Sequence, residues 1–160
     1  MSYKLEKPLS IEERANFIVE YNHNQGLRIE ETDLAIYALE EWEELIGDDV
    51  IDNKETWEEE LIQAEKERIA KLYLTGADVE RGIYQAKGMD FDDIIAMVTE
   101  LQPEGLDVKA LKIELKANNF YRGNPYVEAV GTLLGFTSEQ LDQFFETKDW
   151  NVLVTIEEDI

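Results

Sequence analysis

The sequence contains no cysteine and only one histidine, His23. The lack of cysteine excludes disulfides, thiolate catalysis and cysteine zinc sites. His23 stands at the predicted C-terminal end of a helix, where the helix dipole favours an imidazolium, and we assign it no catalytic role. The sequence also has no phosphate-binding loop, dinucleotide turn, serine-centred elbow or calcium loop. We therefore expect a protein that is not an enzyme and that needs neither a cofactor nor a metal.

Long apolar runs and basic residues are scarce as well. No run approaches the roughly 20 apolar residues that span a bilayer, and the first residues lack the apolar core of a signal peptide. We therefore expect a soluble protein made inside the cell. The chain carries 37 acidic against 15 basic residues, a net charge of −22. Such a charge opposes binding to nucleic acid or to an anionic membrane.

The acidic charge is unevenly distributed along the chain. Residues 40–67 contain 13 acidic and 2 basic side chains, a net charge of −11. Residues 105–136 contain 3 acidic and 4 basic side chains, a net charge of +1. A binding surface in the second region would therefore not repel an acidic protein partner.

The N-terminal part has the pattern of a small α+β unit, which we assign to residues 1–52. Leu27 and Ile29 alternate with charged residues, which predicts two short strands around a turn at Asp33. The segment Tyr3–Leu5 is predicted to be a third strand. A 44% hydrophobic fraction is enough to form a globular core.

The remaining two thirds of the chain are predicted to be helical. We assign residues 53–74 to an acidic amphipathic linking helix, 75–150 to a bundle of short helices and 151–160 to a C-terminal tail. Pairs of residues with the spacing of a capping box mark the helix starts: Ser10 with Glu13, Thr75 with Asp78, Asp90 with Asp93, and Thr137 with Gln140. The predicted fold class is α+β, mainly α.

The segment YRGNPY, residues 121–126, is the most distinctive stretch of the chain. Asn124 and Pro125 form a typical helix start, because Asn caps free amides and Pro at the first helical position loses no hydrogen bond. Arg122 is the only arginine after position 81. Its guanidinium could bind a carboxylate of its own chain or of a partner. Tyr121 and Tyr126 flank it.

Trp42 is a further candidate, because it lies among four glutamates in EEWEE. Its indole either anchors a partner or packs under the adjacent helix. The predicted partner-binding surface consists of Tyr121, Arg122 and Tyr126 together with Trp42.

Two stretches resemble small acidic proteins encoded by prophages of Gram-positive bacteria. These are FIVEYNHNQGLRIEETDLAIYALE (17–40) and LKANNFYRGNPYVEAVGTLLGFTSEQLDQFF (115–145). The resemblance implies a protein from the tail-structure gene module whose partners are phage structural proteins. It also implies a location in the cytoplasm of the host bacterium during assembly, or in the virion. It supplies no catalytic or binding residues.

Two function classes remain open beside the structural one. The first is an acidic decoy that mimics DNA and blocks a host nuclease or DNA-binding protein, which the charge of residues 40–67 favours. The second, which we rank below it, is a hydrolase that uses carboxylates brought together by folding. The linking helix could pack on its own chain or on a second copy, so a homo-oligomer is open as well.

Overall fold

The computed structural model describes residues 1–154. Its fold is mixed, with 54% of residues helical and with short antiparallel strands, which confirms the predicted α+β, mainly α class. The chain divides into two compact units, Met1–Gln63 and Ala64–Ile160. The boundary falls inside a helix, Lys54–Ala70.

The first unit contains a three-stranded antiparallel sheet and a separate hairpin. The three predicted strands are confirmed, and the central one, Ala35–Leu39, pairs with both Tyr3–Glu6 and Arg28–Glu31. Gly47, at φ +64°, turns the chain between the two strands of the hairpin. The elements are β1 Tyr3–Glu6, α1 Ile11–Ile18 with a π-helical extension Val19–His23, β2 Arg28–Glu31, β3 Ala35–Leu39, β4 Glu43–Ile46, β5 Asp49–Asp52 and the start of α2, Lys54–Ala70.

All five residues of β3 are buried, because both faces of this strand are covered. Alternate side chains of a strand point to opposite faces. Ile36 and Ala38 pack against Phe17 of α1. The other three residues of β3 pack against Leu45 and Val50 of the hairpin. The first unit therefore has an apolar layer on each side of its central strand.

One polar network fastens the hairpin turn to the sheet. The buried Tyr37 hydroxyl donates to Asp48 Oδ1 at 2.8 Å, and Thr32 Oγ1 donates to the same oxygen at 2.5 Å. Burial and then the Asp48 carboxylate raise the pKa of Tyr37 to about 12. The hydrogen bond from Thr32, followed by the one from Tyr37, holds the pKa of Asp48 below its usual value. The network is stable while Tyr37 is protonated and Asp48 is ionised.

The second unit is mainly helical and has a single large core among its described residues. Phe144, Phe145, Ile94, Val98 and Leu111 are all buried there. The elements are β6 Tyr73–Thr75, α3 Gly76–Lys87, α4 Phe91–Leu101, α5 Val108–Glu114, β7 Asn119–Tyr121, α6 Pro125–Leu133, α7 Ser138–Thr147 and a 3-10 helix Trp150–Leu153.

The capping signals of the sequence are confirmed at every predicted helix start. Ser10, Asp90 and Thr137 form complete capping boxes with the residues three positions later. Thr75 accepts the backbone amide of Asp78, but the Asp78 carboxylate binds Arg81 and does not return to the cap. Each cap satisfies amide donors that the first turn of a helix leaves free.

Helix α2 ends at Ala70, four residues before the end assigned from the sequence. The helix ends where backbone carbonyl groups of this segment accept hydrogen bonds from residues 122 and 123. Gly123 N donates to Ala70 O at 3.1 Å, and Arg122 N donates to Leu72 O at 2.8 Å. Tyr73 therefore begins a strand that pairs with β7.

Two other assigned segments differ in detail. Every residue of α2 from Glu58 to Arg68 is exposed, including Leu61 and Ile62 at 50% and 58%. The segment assigned as a tail, 151–160, begins inside the 3-10 helix, and Leu153 is buried in the core of the second unit. Residues 155–160 lie outside the described residues.

We expect Tyr37→Phe to change how stability depends on pH. Tyr37 stays protonated in the folded protein up to about pH 12. An unfolded tyrosine loses its proton at about pH 10. The folded state thus binds more protons between these values, and Tyr37's contribution to the free energy of unfolding falls as the pH rises from about 10 to about 12. Urea unfolding of the wild type and the variant should show a difference that shrinks across this window.

The control for this experiment is Tyr84→Phe, which alters an exposed tyrosine of the second unit. Its stability should follow the wild type at every pH. If the free energies of unfolding of the wild type and Tyr37→Phe differ by the same amount throughout this pH window, the raised pKa of Tyr37 is contradicted.

Candidate functional site

Two tyrosines stand side by side on the outer face of the two-stranded β6–β7 sheet. Tyr73 and Tyr121 are direct cross-strand partners, with ring centroids 5.8 Å apart. They remain 54% and 53% exposed. The residues next to them, Leu74 and Phe120, point to the opposite face and are buried in the core. We call Tyr73 and Tyr121 the tyrosine pair.

Arg122 comes immediately after Tyr121 and has the opposite environment. Its side chain is 10% exposed and is enclosed by oxygen atoms of two helices. Arg122 Nε donates to Asp142 Oδ1 at 2.7 Å, and Nη2 lies 2.8 Å from Glu128 Oε2. Nη2 also donates to the Ser138 carbonyl oxygen at 3.3 Å. One guanidinium thus joins β7 to α6 and α7.

The carboxylate of Glu128 is shared between the arginine and the start of α7. The Ser138 hydroxyl donates to Glu128 Oε1 while Arg122 contacts Oε2. These two contacts, the hydroxyl first, hold the pKa of Glu128 below its usual range. The carboxylate therefore stays ionised well into the acidic range and keeps the arginine paired.

Close backbone approach also shapes the corner beneath the tyrosine pair. A Cβ atom at Gly123 would lie 2.9 Å from the Cβ of Ala70, so a side chain does not fit at this position. Asn124 caps α6 by accepting the Tyr126 amide at 3.0 Å, as the sequence predicts. Its own amide donates to Glu114 at 2.9 Å. The backbone leading away from Tyr121 is thus fixed by packing and hydrogen bonds.

The four residues predicted as a partner-binding surface have different environments. Tyr121 is exposed. Arg122 pairs with its own chain, which is one of the two alternatives that the sequence leaves open. Tyr126 is half-buried and packs against the core of the second unit. In the first unit, Trp42 is half-buried against Trp57 of α2, with ring centroids 5.4 Å apart.

Trp42 also lies under a lysine, whose Nζ is 5.1 Å from the centroid of its ring. This lysine, Lys54, and Trp57 both belong to the first turn of α2. The packing matches the second interpretation of Trp42, a side chain under the adjacent helix. Trp42 and Tyr121 belong to different units of the chain.

Sequence reasoning missed Tyr73, which completes the tyrosine pair. The apolar pattern of residues 54–73 assigned it to a helix. A signal was present in the matching triplets Tyr73-Leu74-Thr75 and Asn119-Phe120-Tyr121, each with an apolar residue between two more polar ones. Three residues are too few to establish an alternation on their own.

We expect Arg122→Ala to lower the free energy of unfolding by about 1–3 kcal/mol. Removing a largely buried partner leaves two carboxylates near each other, but their partial exposure moderates the cost. The control is Arg81→Ala, since Arg81 pairs with Asp78 while its side chain is 72% exposed. That change should cost less than about 0.5 kcal/mol. Equal urea midpoints for both variants would refute a structural role for Arg122.

The described residues show no other obvious chemical centre. Across residues 1–154 no group of three or more His, Asp or Glu is placed to hold a metal ion, and no helix is long and apolar enough to cross a membrane. No protein-family model matches the sequence, and comparisons with curated proteins and with solved structures found no match.

Proposed function

We propose that this protein is a non-enzymatic component of a phage tail module, structural or associated with assembly, that acts through protein–protein contacts. The tyrosine pair is its contact surface. The observation that carries this proposal is that two half-exposed tyrosine rings stand on adjacent strands, next to an arginine that is largely buried and ion-paired. Tyr121 is the residue before Arg122, and both strands are hydrogen-bonded to each other.

Tyrosine suits such a role for physical reasons. It offers a large contact area, a polar tip and only two side-chain torsions to immobilise, and it is enriched among residues that dominate binding energy. The cross-strand partner already restricts each ring before a partner protein binds. The near-neutral charge of residues 105–136 lets an acidic partner approach β7.

The phage part of the proposal rests on the resemblance of residues 17–40 and 115–145. The second stretch contains β7, α6 and all but the last two residues of α7, and therefore Tyr121 together with the ion pairs of Arg122. The proposed partners are phage structural proteins, met in the host cytoplasm during assembly or in the virion. The proposal includes no binding to nucleic acid or membrane.

We expect Tyr73→Ala and Tyr121→Ala each to weaken binding to a tail protein by about 10- to 30-fold, the loss typical of a binding hot spot. Tyr84→Ala is the matched control, because Tyr84 is 59% exposed on α3. The purified protein is titrated against each purified structural protein of the tail module of its source phage by biolayer interferometry. Circular dichroism checks that all three variants are folded.

Two outcomes would count against the tyrosine pair. Binding that is equally strong in the wild type and both variants would place the contact elsewhere on the protein. Equal weakening by all three tyrosine variants would show a general effect of removing exposed aromatic area. Binding to none of the tail proteins would remove the phage structural role itself.

The acidic decoy is kept as a second candidate because of one feature of α2. Its residues from Glu58 to Arg68 are exposed on every side of a regular helix. Residues 40–67, which include this segment except for Arg68, carry a net charge of −11. Carboxylates at fixed positions on a rigid element are what a phosphate mimic requires, and their attraction to a basic partner is long-ranged and salt-dependent.

We expect a decoy to compete with DNA for a nuclease or DNA-binding protein of the host, with a competition that weakens steeply as salt rises. Glu58→Gln with Glu59→Gln should reduce competition several-fold, about in proportion to the charge removed. The control pair, Glu104→Gln with Glu139→Gln, removes equal charge from exposed positions outside α2. Equal loss from both pairs would indicate net charge alone and exclude a specific mimic.

A further inference from the structure

A cleft of about 280 Å³ opens beside α3 and the end of α7, away from the residues of the tyrosine pair. One face of α3 supplies one side of it, through residues spaced three and four apart. The end of α7 and the 3-10 helix supply the other side. Its lining residues on these elements are Asp78, Arg81, Gly82, Gln85, Phe144, Lys148 and Trp150.

The floor of the cleft is aromatic. A Cβ atom at Gly82 would lie only 2.4 Å from Cζ of Phe144, so the ring packs directly on the backbone of α3. Trp150 begins the 3-10 helix and is half-buried beside this ring. The lack of a side chain at Gly82 thus lets Phe144 pack against α3, and Phe144 and Trp150 form the apolar part of the lining.

The rim of the cleft is cationic, which is unusual in a chain of net charge −22. Arg81 donates to Asp78 at 3.1 Å and to the Ala77 carbonyl at 3.2 Å, and its side chain remains 72% exposed. Lys148 lies opposite, at the left-handed C-cap of α7 with φ 60°. Among residues 1–154, Lys148 forms no ion pair.

The carboxylates nearest to Lys148 in the sequence are engaged by other groups. Glu146 binds Arg68 through both oxygens, at 3.0 and 2.9 Å. Asp149 accepts the backbone and side-chain amides of Asn151, at 3.0 and 2.7 Å. Neither of these carboxylates pairs with Lys148, which lines the cleft. With Arg81 and Asp78 the rim has a net charge of +1.

We propose that this cleft binds a small aromatic carboxylate. The ring of the ligand stacks on the Trp150 indole, and its carboxylate lies between Lys148 and Arg81. The Gln85 amide can hydrogen-bond a further polar substituent. The volume lies at the lower end of the range of small-molecule sites, which suits a ligand of one or two rings. The site shares no residue with the tyrosine pair, so it stands independently of the proposed partner contact.

The test uses 2-naphthoate as the probe and the full-length protein labelled with ¹⁵N. Its titration should give saturable shifts of the amide signals of α3 and the end of α7 and of the Trp150 indole signal. The dissociation constant should be on the order of 1 mM, as expected for a fragment-sized ligand. The neutral analogue 2-naphthylmethanol should bind about fivefold more weakly, because it lacks the charge that the rim recognises.

Two variants test the rim directly. Lys148→Asn and Arg81→Gln should each weaken 2-naphthoate binding about three- to fivefold. Asn tolerates the left-handed conformation of position 148, so the first variant keeps the C-cap. Lys116→Gln is the control, because Lys116 is exposed after α5 and forms no ion pair among the described residues. It should bind the probe like the wild type.

The proposal is overturned if the shifts do not saturate or are scattered over the protein, because this would show nonspecific association. It is also overturned if 2-naphthoate and the neutral analogue bind equally well to the wild type. That comparison needs no variant, so it holds even if a substitution disturbs folding. Equal weakening by Lys116→Gln and Lys148→Asn would show an effect of net charge only and would equally reject the site.

Discussion

The second unit depends on the ion pairs of one arginine. Arg122 lies at a point where a strand, β7, meets two helices, and each helix contributes one carboxylate to it. A largely buried guanidinium is costly to desolvate, and the cost is offset when several charge-assisted hydrogen bonds surround it. Because strand side chains alternate, the buried Phe120 of β7 requires an outward Tyr121. The exposed ring of the proposed contact surface thus lies between a buried apolar side chain and the ion-paired Arg122.

Local chemistry explains why much of the fold is predictable from the sequence. A helix cap is an interaction between residues three positions apart, so Asp90 with Asp93 and Thr137 with Gln140 can be recognised in a short window. The same holds for Asn124 and Pro125 at the start of α6. Strand β3 was predictable for a related reason, because the pattern of two short strands around Asp33 lies within a short window, but the burial of both its faces was not predicted.

Interactions between distant segments were not predictable in this way. Strands β6 and β7 have three residues each and are separated by more than forty positions, so the sequence of either strand does not indicate which segment it pairs with. The apolar pattern of the sequence consequently assigns Tyr73 to a helix, whereas in the structure Tyr73 belongs to strand β6. The partners of Arg122 were equally hidden, since any of 37 acidic residues could have served. Tyr121 belongs to the predicted surface, whereas Tyr73, its cross-strand neighbour, does not.

Basic residues are scarce in this molecule, with 15 against 37 acidic residues, so few carboxylates can pair with a cation. Most carboxylates are exposed and repel one another through water, where the interaction is weak and is screened within about 10 Å at moderate ionic strength. An arginine in direct contact with a carboxylate, away from solvent, acts far more strongly. Arg122 makes such contacts with two carboxylates, whereas Arg68 also binds two carboxylates but remains 48% exposed. Lys148 forms no ion pair among residues 1–154, and its ammonium is the group that we propose binds the carboxylate of a ligand from solution.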